Sequence, residues 1–329
     1  MEYYQPPFSI SIEMLNLCSE ISEKVGKITS YRSFESRPHL RRNNRIRSIH
    51  SSLAIEANSL SLDEVRSVID GKPVIGPQKE IQEVKNAYQA YEQLGKFDPY
   101  SLDDLKLLHG IMTRLTVNDS GRFRNHEEGV FQGEVCIFLA PPPRLVPDHM
   151  QNLFKWMNES RNSLHPLILS SVFHYEFVFI HPFSDGNGRM ARLWQTALLS
   201  DWNPVFRYLP LESLIHDFQN GYYDAISASN HAGNTDAFII FMFHMIDQTL
   251  DLALQQTGDK THFSPEVQRL LEVMEYDEPY TAVQLLSALG LKSRENLRKL
   301  YLKPALESGL IRLGKPNKPT SRNQTYIRQ

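Results

Sequence analysis

One short segment, HPFSDGNGRMAR at residues 181–192, combines side chains suited to handling a polyphosphate. The glycines at 186 and 188 permit a positive φ and a close approach between backbone and ligand. Successive backbone N–H groups at the start of a helix attract anions, and the helix dipole strengthens that attraction. Arg189 and Arg192 lie one helical turn apart, so both planar guanidinium groups can face the same phosphate chain. The spacing therefore predicts a phosphate-binding turn.

The same segment offers a base and a ligand for a hard cation. His181 stands just before the turn, and its imidazole can accept a proton near neutral pH. Asp185 provides a carboxylate of the kind that holds Mg²⁺ together with phosphate oxygens and water. Pro182 fixes the backbone after the histidine, and Phe183 is expected to anchor the turn in the core. A His-Pro pair or a Gly-Asn-Gly turn alone is usually structural, but this combination is hard to explain by packing.

Helices are predicted to position this segment. Residues 167–180 are nearly all apolar, which indicates a buried helix before the turn, and a second helix is predicted over 188–202. A capping box at Ser61 and an N-terminal signal at Ser101 mark two more helix starts. Helical periodicity predicts the others at 44–57, 77–94, 148–156, 211–228, 235–254, 265–274, 282–289 and from 293 onward. The fold class expected is mainly α.

Residues 129–146 (GVFQGEVCIFLAPPPRLV) have a different character. They are rich in β-branched and aromatic residues, which favours a short hairpin or an extended flap. The three consecutive prolines at 141–143 exclude a helix at that point. The sequence thus predicts a small β element within a helical chain.

The segment at 181–192 resembles the signature of the Fic family, H-P-F-x-[D/E]-G-N-G-R-x-x-R, at every defined position. Residues 121–133 (GRFRNHEEGVFQG) and the following APPPRLVPDHM are similar to the family's substrate-positioning flap and its proline-rich continuation. The resemblance extends from about residue 40 to residue 250. It implies a Fic helical bundle with a β-hairpin flap, and an enzyme that moves AMP from ATP to a Ser, Thr or Tyr hydroxyl of a protein.

The resemblance implies a role for each matching position. His181 would take the proton from the target hydroxyl, and Asp185 would hold Mg²⁺. Attack at the α-phosphorus would release pyrophosphate. The α and β phosphates would lie against the backbone of three successive residues, Gly186, Asn187 and Gly188. The β and γ phosphates would be held by two arginines, Arg189 and Arg192.

A protein target is implied as well. The flap would hold the target segment as an added strand, and its representative residues are Val130, Phe131, Ile137 and Phe138. Self-modification of Tyr or Thr residues and a homodimer are further expectations by analogy with similar proteins. Removal of AMP from a modified target, or transfer of another phosphate-linked group, remains an alternative reaction.

A second stretch resembles the family's inhibitory helix, which has the pattern [S/T]-x-x-x-E-[G/N]. In SSLAIEAN at residues 51–58, Ser52 stands four residues before Glu56. The resemblance implies that Glu56 pairs with Arg192 and removes the arginine that would hold the γ-phosphate, so that ATP binds unproductively. Ala57 departs from the expected Gly or Asn, which predicts a different helix end and a weaker brake. The alternative is that Ser52 and Glu56 are ordinary surface residues.

The C-terminal part of the chain is strongly basic. Residues 291–329 contain ten Lys or Arg and two acids, a charge of +8, so −11 falls on the remaining 290 residues of a chain with a formal net charge of −3. The predicted order over 263–329 is helix, helix, helix, strand, loop, strand, which is typical of a winged helix. Similar domains are appended to many bacterial Fic proteins.

Two readings of this basic domain compete, DNA binding and docking of a protein substrate or dimer partner. Possible phosphate contacts come from the candidate recognition helix and the wing loop: Arg294, Arg298, Lys299, Lys315, Lys318 and Arg322. Pro304 is expected to kink or end the recognition helix, which weakens the prediction of DNA binding. A solvated basic face is the third reading. If DNA binding dominated, the chain would be a regulator whose Fic core is secondary.

Composition limits the class of protein. The 329 residues are 41% hydrophobic and 22% charged, which is ordinary for a soluble globular protein. Two cysteines, Cys18 and Cys136, do not make a disulfide framework, and the first residues lack the features of a signal peptide. No uninterrupted apolar run approaches the roughly 18 residues that span a bilayer. We therefore expect a cytoplasmic protein without membrane contact.

Four parts are predicted along the chain. An N-terminal helical region at 1–100 would carry the inhibitory helix at about 44–57. The Fic catalytic core would follow at 101–254, then a polar linker at 255–262 and the winged-helix domain at 263–329.

Overall fold

The computed structural model describes residues 4–30, 38–132, 135–258, 264–276, 278–316, 321 and 323–328. The chain divides into two compact units. The larger unit comprises Met1–Thr29 and Asn44–Leu252, and the smaller comprises Ser30–Asn43 and Ala253–Gln329. Each unit is described by itself below.

Helices dominate the larger unit, which confirms the mainly α fold class. In chain order they are α1 (Ile12–Ser30), α2 (Pro38–Ile55), α3 (Leu62–Ile69), α4 (Gln78–Tyr91), α5 (Leu102–Met112), α6 (Val146–Ser160), α7 (Pro166–Ile180), α8 (Asn187–Trp202), α9 (Leu211–Asp217), α10 (Gln219–Ala232) and α11 (Asp236–Gly258). The last residue of α1, residues 38–43 of α2 and residues 253–258 of α11 belong to the smaller unit. An antiparallel hairpin of β1 (Gly129–Gln132) and β2 (Val135–Leu139) lies between α5 and α6, as predicted.

The centre of the larger unit is the pair α7 and α8, which pack against each other. The apolar sequence of α7 leaves nearly every one of its residues buried. Phe173 and Phe177 of α7 and Trp194 of α8 are all fully buried. The indole Nε1 of Trp194 donates a hydrogen bond to the Pro99 carbonyl at 3.0 Å, so this polar atom is satisfied inside the core. The turn between α7 and α8 is therefore anchored at both ends.

The capping signals are confirmed, but two helix predictions need correction. Ser61 forms a capping box with Glu64, and Ser101 accepts a hydrogen bond from the Asp104 amide. The helix predicted at 44–57 runs from Pro38 to Ile55. The prediction missed its start because the basic first turns lack the apolar periodicity that indicates a helix. The single helix predicted at 211–228 is two helices, α9 and α10, separated at Phe218.

Helix α11 is long and apolar enough to cross a membrane by length and composition alone, over Asp236–Gln255; it is the one such helix among the described residues. Polar residues such as Asp247 divide this helix, so it contains no long uninterrupted apolar run. Half of this stretch is buried, including Phe238 and Phe243, and a core helix has the same properties. The finding is thus weak evidence for a membrane span.

The smaller unit combines short helices with a three-stranded sheet. Its elements are α12 (Pro265–Val273), β3 (Pro279–Thr281), α13 (Ala282–Leu289), α14 (Arg294–Asn296), a π-helical stretch (Leu297–Leu302), α15 (Lys303–Glu307), β4 (Ile311–Leu313) and β5 (Thr325–Arg328). The sheet order is β3-β5-β4, and both pairings are antiparallel. The predicted succession of helices, strand, loop and strand is present, with β3 as an additional strand.

Pro304 does not end the third helix of this unit. Helical structure continues through the proline to Glu307, and the six residues Leu297–Leu302 before it form a π-helix. A proline cannot donate to the carbonyl four residues earlier and its ring crowds that carbonyl, and a wider helical turn relieves both conflicts. Of the two effects expected of Pro304, a kink or an end of the helix, the end is therefore wrong, and the kink stays a prediction.

Replacing Leu285 by alanine is expected to destabilise the smaller unit by about 2–5 kcal/mol. Leu285 is fully buried in a cluster that includes Leu270, Tyr301 and Ile311, so the truncation leaves a cavity. Hydrogen exchange of the α13 amides in the full chain measures the loss. Val283→Ala is the matched control, because Val283 lies on the same helix and is 58% exposed. Equal exchange rates in the two variants would contradict the packing argument.

Candidate active site

The turn between α7 and α8 has two residues in left-handed backbone conformations. His181 caps the end of α7 with φ 50° and ψ 59°, and Gly186 precedes α8 with φ 83°. Pro182 stops α7 from continuing, because it has no N–H to donate. A side chain at Gly186 would combine strained backbone with a contact of 2.9 Å to the methyl group of Thr113. Glycine is therefore required where the chain bends into α8.

The ring of His181 is arranged as a base. Its Nδ1 lies 3.3 Å from the carbonyl oxygen of Val178, and a carbonyl can only accept, so the proton is on Nδ1. In the neutral ring Nε2 then carries the free lone pair. Burial lowers the pKa of His181, opposed by the hydrogen bond to Val178 and the charge of Glu128. At neutral pH the imidazole is thus held ready to accept a proton at Nε2.

Asn187 holds the turn in shape through its side chain. Its Oδ1 accepts from the Phe183 amide at 2.9 Å, and its Nδ2 donates to the Phe183 carbonyl at 2.7 Å. Both side chains are buried. The predicted contribution of Asn187 to a phosphate cradle was its backbone, and that backbone begins α8 beside Gly186.

His109 supports the turn from α5 and was not singled out by the sequence. Its ring stacks on Phe183 with 3.6 Å between centroids. The Gly121 amide donates to its Nδ1 at 2.9 Å, so its Nε2 carries the proton and donates to the Asp185 carbonyl, also at 2.9 Å. Burial lowers the pKa of His109 to about 4. The ring therefore stays neutral and keeps both bonds at physiological pH.

Asp185 and Arg189 form an ion pair at the start of α8, with 2.5 Å between Oδ1 and Nη2. Lys79 of α4 lies 3.7 Å from the other carboxylate oxygen. Burial opposes ionisation of Asp185, but the charges of Arg189 and Lys79 outweigh it and lower the pKa of the carboxyl. The carboxylate is ionised and its side chain is 35% exposed, so it can reach a ligand.

The chemistry of this carboxylate fits a magnesium ion bound with a triphosphate. Mg²⁺ in such sites takes one or two carboxylates and completes its octahedron with phosphate oxygens and water. No group of three or more His, Cys, Asp or Glu side chains suited to a metal occurs in the described part of the chain. Asp185 is the residue that would hold the ion on the protein side, and phosphate oxygens and water would supply further ligands.

The two arginines of α8 retain hydrogen-bond donors for a polyphosphate. Arg189 and Arg192 are 3% and 2% exposed. Within the described residues, Nε and Nη1 of Arg189 and Nη1 of Arg192 make no hydrogen bond. Buried donors without acceptors are costly, so such groups are usually satisfied by a ligand or water. Phosphate oxygens would supply the missing acceptors.

Helix α2 brings Ser52 and Glu56 to Arg192. The guanidinium Nη2 lies 2.8 Å from Glu56 Oε1 and 2.9 Å from the Ser52 carbonyl, and Nε donates to Ser52 Oγ at 3.1 Å. The predicted pairing of Glu56 with Arg192 is thus present in the geometry. A side chain added at Gly188 would collide with Glu56 Oε1. The carboxylate therefore occupies the space beside the first turn of α8, where the phosphate cradle is predicted.

The end of α2 explains the Gly or Asn that the inhibitory pattern expects. Ala57 has φ 63°, and the Asn58 amide donates to the Leu53 carbonyl at 3.1 Å. This is the left-handed helix ending in which glycine is preferred. Alanine adopts the same conformation at a cost of roughly 1–2 kcal/mol. With Ala57 in this conformation, Glu56 faces Arg192, and the expectation of a different helix end is not met.

A buried carboxylate anchors α2 from behind. Glu212 of α9 is 1% exposed and accepts hydrogen bonds from Ser48 of α2 and from Tyr91, both at 2.7 Å. These three residues are far apart in the sequence, so no local pattern could have revealed their contact. The anchor fixes the helix that carries Ser52 and that is followed directly by Glu56.

The hairpin follows α5 and precedes the proline run, with Val130 opposite Phe138 and a bulge between Val130 and Phe131. Its strands pair only with each other among the described residues. The predicted target-positioning side chains lie outside the described part of the structure: Val130, Phe131, Ile137 and Phe138. Their proposed role stays a prediction.

Comparisons with known proteins agree with this geometry. The sequence matches the Fic/DOC family over residues 99–199, and the family described as "Filamentation induced by cAMP protein Fic-like, C-terminal domain" over residues 265–327. It is similar to proteins named "Protein adenylyltransferase Fic" from Culex quinquefasciatus (29% identical over 231 residues, 67% of this chain and 44% of that protein) and Drosophila yakuba (31% over 222 residues, 64% and 42%). The chain spans less than half the length of these curated relatives.

A solved structure extends the likeness over both units. The crystal structure of a Fic family protein from Desulfovibrio desulfuricans G20 matches with a TM-score of 0.74 and 39% sequence identity, covering 99% of this chain and 98% of that one. A match over 99% of this chain takes in both compact units. This chain therefore belongs to the Fic family.

Proposed function

We propose that this chain transfers AMP from ATP to a hydroxyl group of a protein. One arrangement carries the proposal: His181 keeps Nε2 free of a proton at the end of α7, and the next helix begins with buried arginine N–H groups that make no hydrogen bond within the described residues. One of these groups, Nη1 of Arg189, lies 3.6 Å from Glu83 Oε1, beyond hydrogen-bond distance. An attacking hydroxyl needs a base, and departing pyrophosphate needs cationic donors. The names of the curated relatives support the same reaction.

In this reaction Nε2 of His181 takes the proton of the target hydroxyl while the hydroxyl oxygen attacks the α-phosphorus. The backbone at 186–188 cradles the phosphates, and Arg189 and Arg192 hold the β and γ phosphates, which leave as pyrophosphate. Magnesium would neutralise part of the phosphate charge, and Asp185 is the residue that would hold it. Positioning and charge neutralisation provide most of the rate in transfers of this kind.

The unpaired outer edges of the hairpin are the proposed binding site for the target segment. A strand whose N–H and C=O groups are unpaired can accept a further extended segment. Because β1 and β2 pair only with each other in the described chain, a target segment can add to an outer edge. The backbone bonds would hold the target without demanding a particular side chain.

We also propose that Glu56 inhibits the transfer. Its carboxylate neutralises Arg192 and lies beside Gly188, so it competes with the γ-phosphate for the arginine and for space. ATP bound under these conditions would not present its α-phosphorus correctly. The inhibition is internal to the larger unit and needs no second protein.

Incubation with labelled nucleotides tests the reaction class. The Glu56→Gly chain, Mg²⁺ and cell lysate are combined in turn with labelled ATP, UTP or GTP. Label on protein from ATP alone, with mass spectrometry showing an added AMP, supports adenylylation. Label from another nucleotide would reassign the donor, and loss of AMP from a premodified protein would favour the reverse reaction. No label from any nucleotide would refute the transferase proposal.

DNA binding by the smaller unit is a second candidate function. Arg294 and Arg298 are exposed on the candidate recognition helix, whereas Lys299 is paired with Glu295 at 2.7 Å. Of the wing residues, Lys318 and Arg322 lie outside the described chain. Arginines on an exposed helix face can contact DNA phosphates, and the charge of +8 over 291–329 would attract the duplex.

A mobility-shift titration of the full chain against duplex DNA tests this candidate. Binding should weaken as salt rises, and replacing both Arg294 and Arg298 by glutamine should reduce the logarithmic salt slope by roughly 2, since each phosphate contact contributes about 0.9. Lys155→Gln in the larger unit is the matched control, because Lys155 is also exposed. Absence of a shift at low salt would count against DNA binding and leave protein docking as the alternative.

A further inference from the structure

Arg124, in the segment before the hairpin, grips the end of α7 through the backbone. It is 2% exposed. Its Nε donates to the carbonyl of His181 at 2.7 Å, its Nη2 reaches the Ile180 carbonyl at 3.4 Å, and its own amide donates to the Pro182 carbonyl at 2.9 Å. The last carbonyls of a helix lack partners within the helix and lie at its negative end. The buried guanidinium of Arg124 gives these carbonyls hydrogen bonds and places a positive charge at the negative end of the helix.

The same guanidinium also donates hydrogen bonds to the backbone at both ends of the hairpin. Nη1 donates to the His126 carbonyl at 2.7 Å, and Nη2 donates to the Pro141 carbonyl at 2.5 Å. His126 precedes β1, and Pro141 follows β2 by two residues. One side chain therefore connects the base of the hairpin with the backbone of the proposed catalytic histidine.

The backbone conformation of His181 shows why these hydrogen bonds from Arg124, called the clamp below, are needed. Its φ of 50° lies in the left-handed region, which is uncommon and strained for a residue other than glycine. Strained residues persist where surrounding bonds fix them. The 2.7 Å bond from Arg124 to the His181 carbonyl is the most direct of these, because it holds the peptide that follows the strained residue.

We propose that Arg124 is a positioning residue, which sets the direction of the His181 base and couples it to the hairpin that receives the target. The inference rests on the proposed transferase function. Among the described residues, the acceptors of this side chain are all backbone carbonyls, at the end of α7 and at the two ends of the hairpin, and the planar fork of arginine can serve several of them at once. Lysine, with a single ammonium group, cannot span the same set.

The positive charge of Arg124 lies close enough to His181 to affect the pKa of its ring. A residue with a purely structural role would not change this pKa. The groups that act on the His181 ring are the Val178 carbonyl, Glu128, Glu56 and Arg124, and burial adds to them. Burial and the positive charge of Arg124 lower the pKa of His181, whereas the others raise it. Neutralising residue 124 should therefore raise the pKa of the His181 ring.

The test compares Arg124→Gln with Arg122→Gln, both made in the Glu56→Gly chain. Arg122 is an exposed arginine two residues away, so its replacement removes the same charge outside the clamp. Initial rates of label incorporation into a fixed lysate give apparent kcat and KM for ATP, and calorimetry gives the Kd for ATP. We expect Arg124→Gln to lower kcat roughly 100-fold, since small misplacements of reacting groups cost about that much. KM and Kd for ATP should stay within about twofold, because the phosphate cradle is untouched.

Two further measurements complete the test. Imidazole NMR titration should show a higher His181 pKa in Arg124→Gln than in Arg122→Gln, whether or not the parent chain transfers nucleotide. Free guanidinium should restore part of the rate to Arg124→Ala, and Arg124→Lys should be only partly active.

The outcomes are distinguishable. A parent chain that transfers no label, together with the expected shift in His181 pKa, defeats the proposed function but leaves the placement of Arg124 beside the histidine supported. Unchanged kcat in Arg124→Gln overturns the positioning role. An equal loss of ATP affinity, or failure of both Arg124→Gln and Arg124→Lys to fold, also overturns it, because Arg124 would then support the fold in general.

Discussion

Replacing His181 by alanine in the Glu56→Gly chain is expected to abolish measurable nucleotide transfer. The imidazole Nε2 is the proposed acceptor of the target proton, since Nδ1 is committed to the Val178 carbonyl. A positioned base contributes on the order of 10²- to 10⁴-fold, and a loss of that size brings the signal to background. The measurement is incorporation of labelled AMP into lysate proteins over time.

His231→Ala is the matched control, because His231 is an exposed histidine on α10 whose ring is hydrogen-bonded to Ser227 of the same helix. It should leave transfer unchanged. The Kd for ATP should be nearly equal in the His181→Ala chain and its parent, because the cradle and both arginines remain. Unimpaired transfer by the His181→Ala chain would remove the base from the mechanism, whereas a lost affinity for ATP would show that the histidine supports the cradle.

Local sequence signals predicted the parts of the site that lie close together in the chain. The turn at 181–192 contains its own base, carboxylate, glycines and arginines, and adjacent residues are held together by the backbone itself. Side-chain caps are equally local, so Ser61 and Ser101 marked their helices correctly. The pairing of Glu56 with Arg192 joins residues far apart in the chain, and only the family resemblance indicated it.

The residues that support the turn from other elements escaped sequence reasoning. Arg124 and His109 act largely on backbone atoms, so the identities of the residues they contact carry no complementary pattern. Glu212 meets Ser48 and Tyr91 only after the chain has folded. A buried Arg or Glu within an otherwise polar stretch looks like a surface residue in the sequence, because burial is decided by tertiary packing.

The boundaries that were wrong have three different causes. Apolar periodicity continues across Phe218, so nothing in the pattern marks the break between α9 and α10. At the start of α2 the opposite holds, because basic residues hide a helix that packing supports. At Pro304 the prediction rested on the rule that proline interrupts the regular α-helical hydrogen bonding. The helix continues because the residues before the proline form a wider, π-helical turn.

Replacing Glu56 by glycine is expected to raise nucleotide transfer roughly 10- to 100-fold above the unmodified chain. The change frees Nη2 of Arg192 from the carboxylate at 2.8 Å and clears the space beside Gly188. A hydrogen bond between charged groups contributes about 1.5–3 kcal/mol, and each 1.36 kcal/mol corresponds to about tenfold in rate. Glu56 lies beyond the last residue of α2, so glycine there should leave the helix intact. Label incorporation with ATP-Mg²⁺ measures the effect.

Three companion variants separate the causes of the inhibition. Glu20→Gly, at an exposed glutamate of α1, controls for the loss of a charge and should leave transfer unchanged. Ser52→Ala removes one hydrogen bond to Arg192 but keeps the Ser52 carbonyl and Glu56, so a smaller increase is expected. Glu56→Gln keeps the shape and loses the charge. If it is as active as Glu56→Gly, neutralisation of Arg192 is the brake; if it stays inactive, occupation of the space beside Gly188 is. Equal transfer by the unmodified and Glu56→Gly chains would dismiss the brake altogether, because an arginine that is already free for the γ-phosphate gains nothing from the loss of its partner.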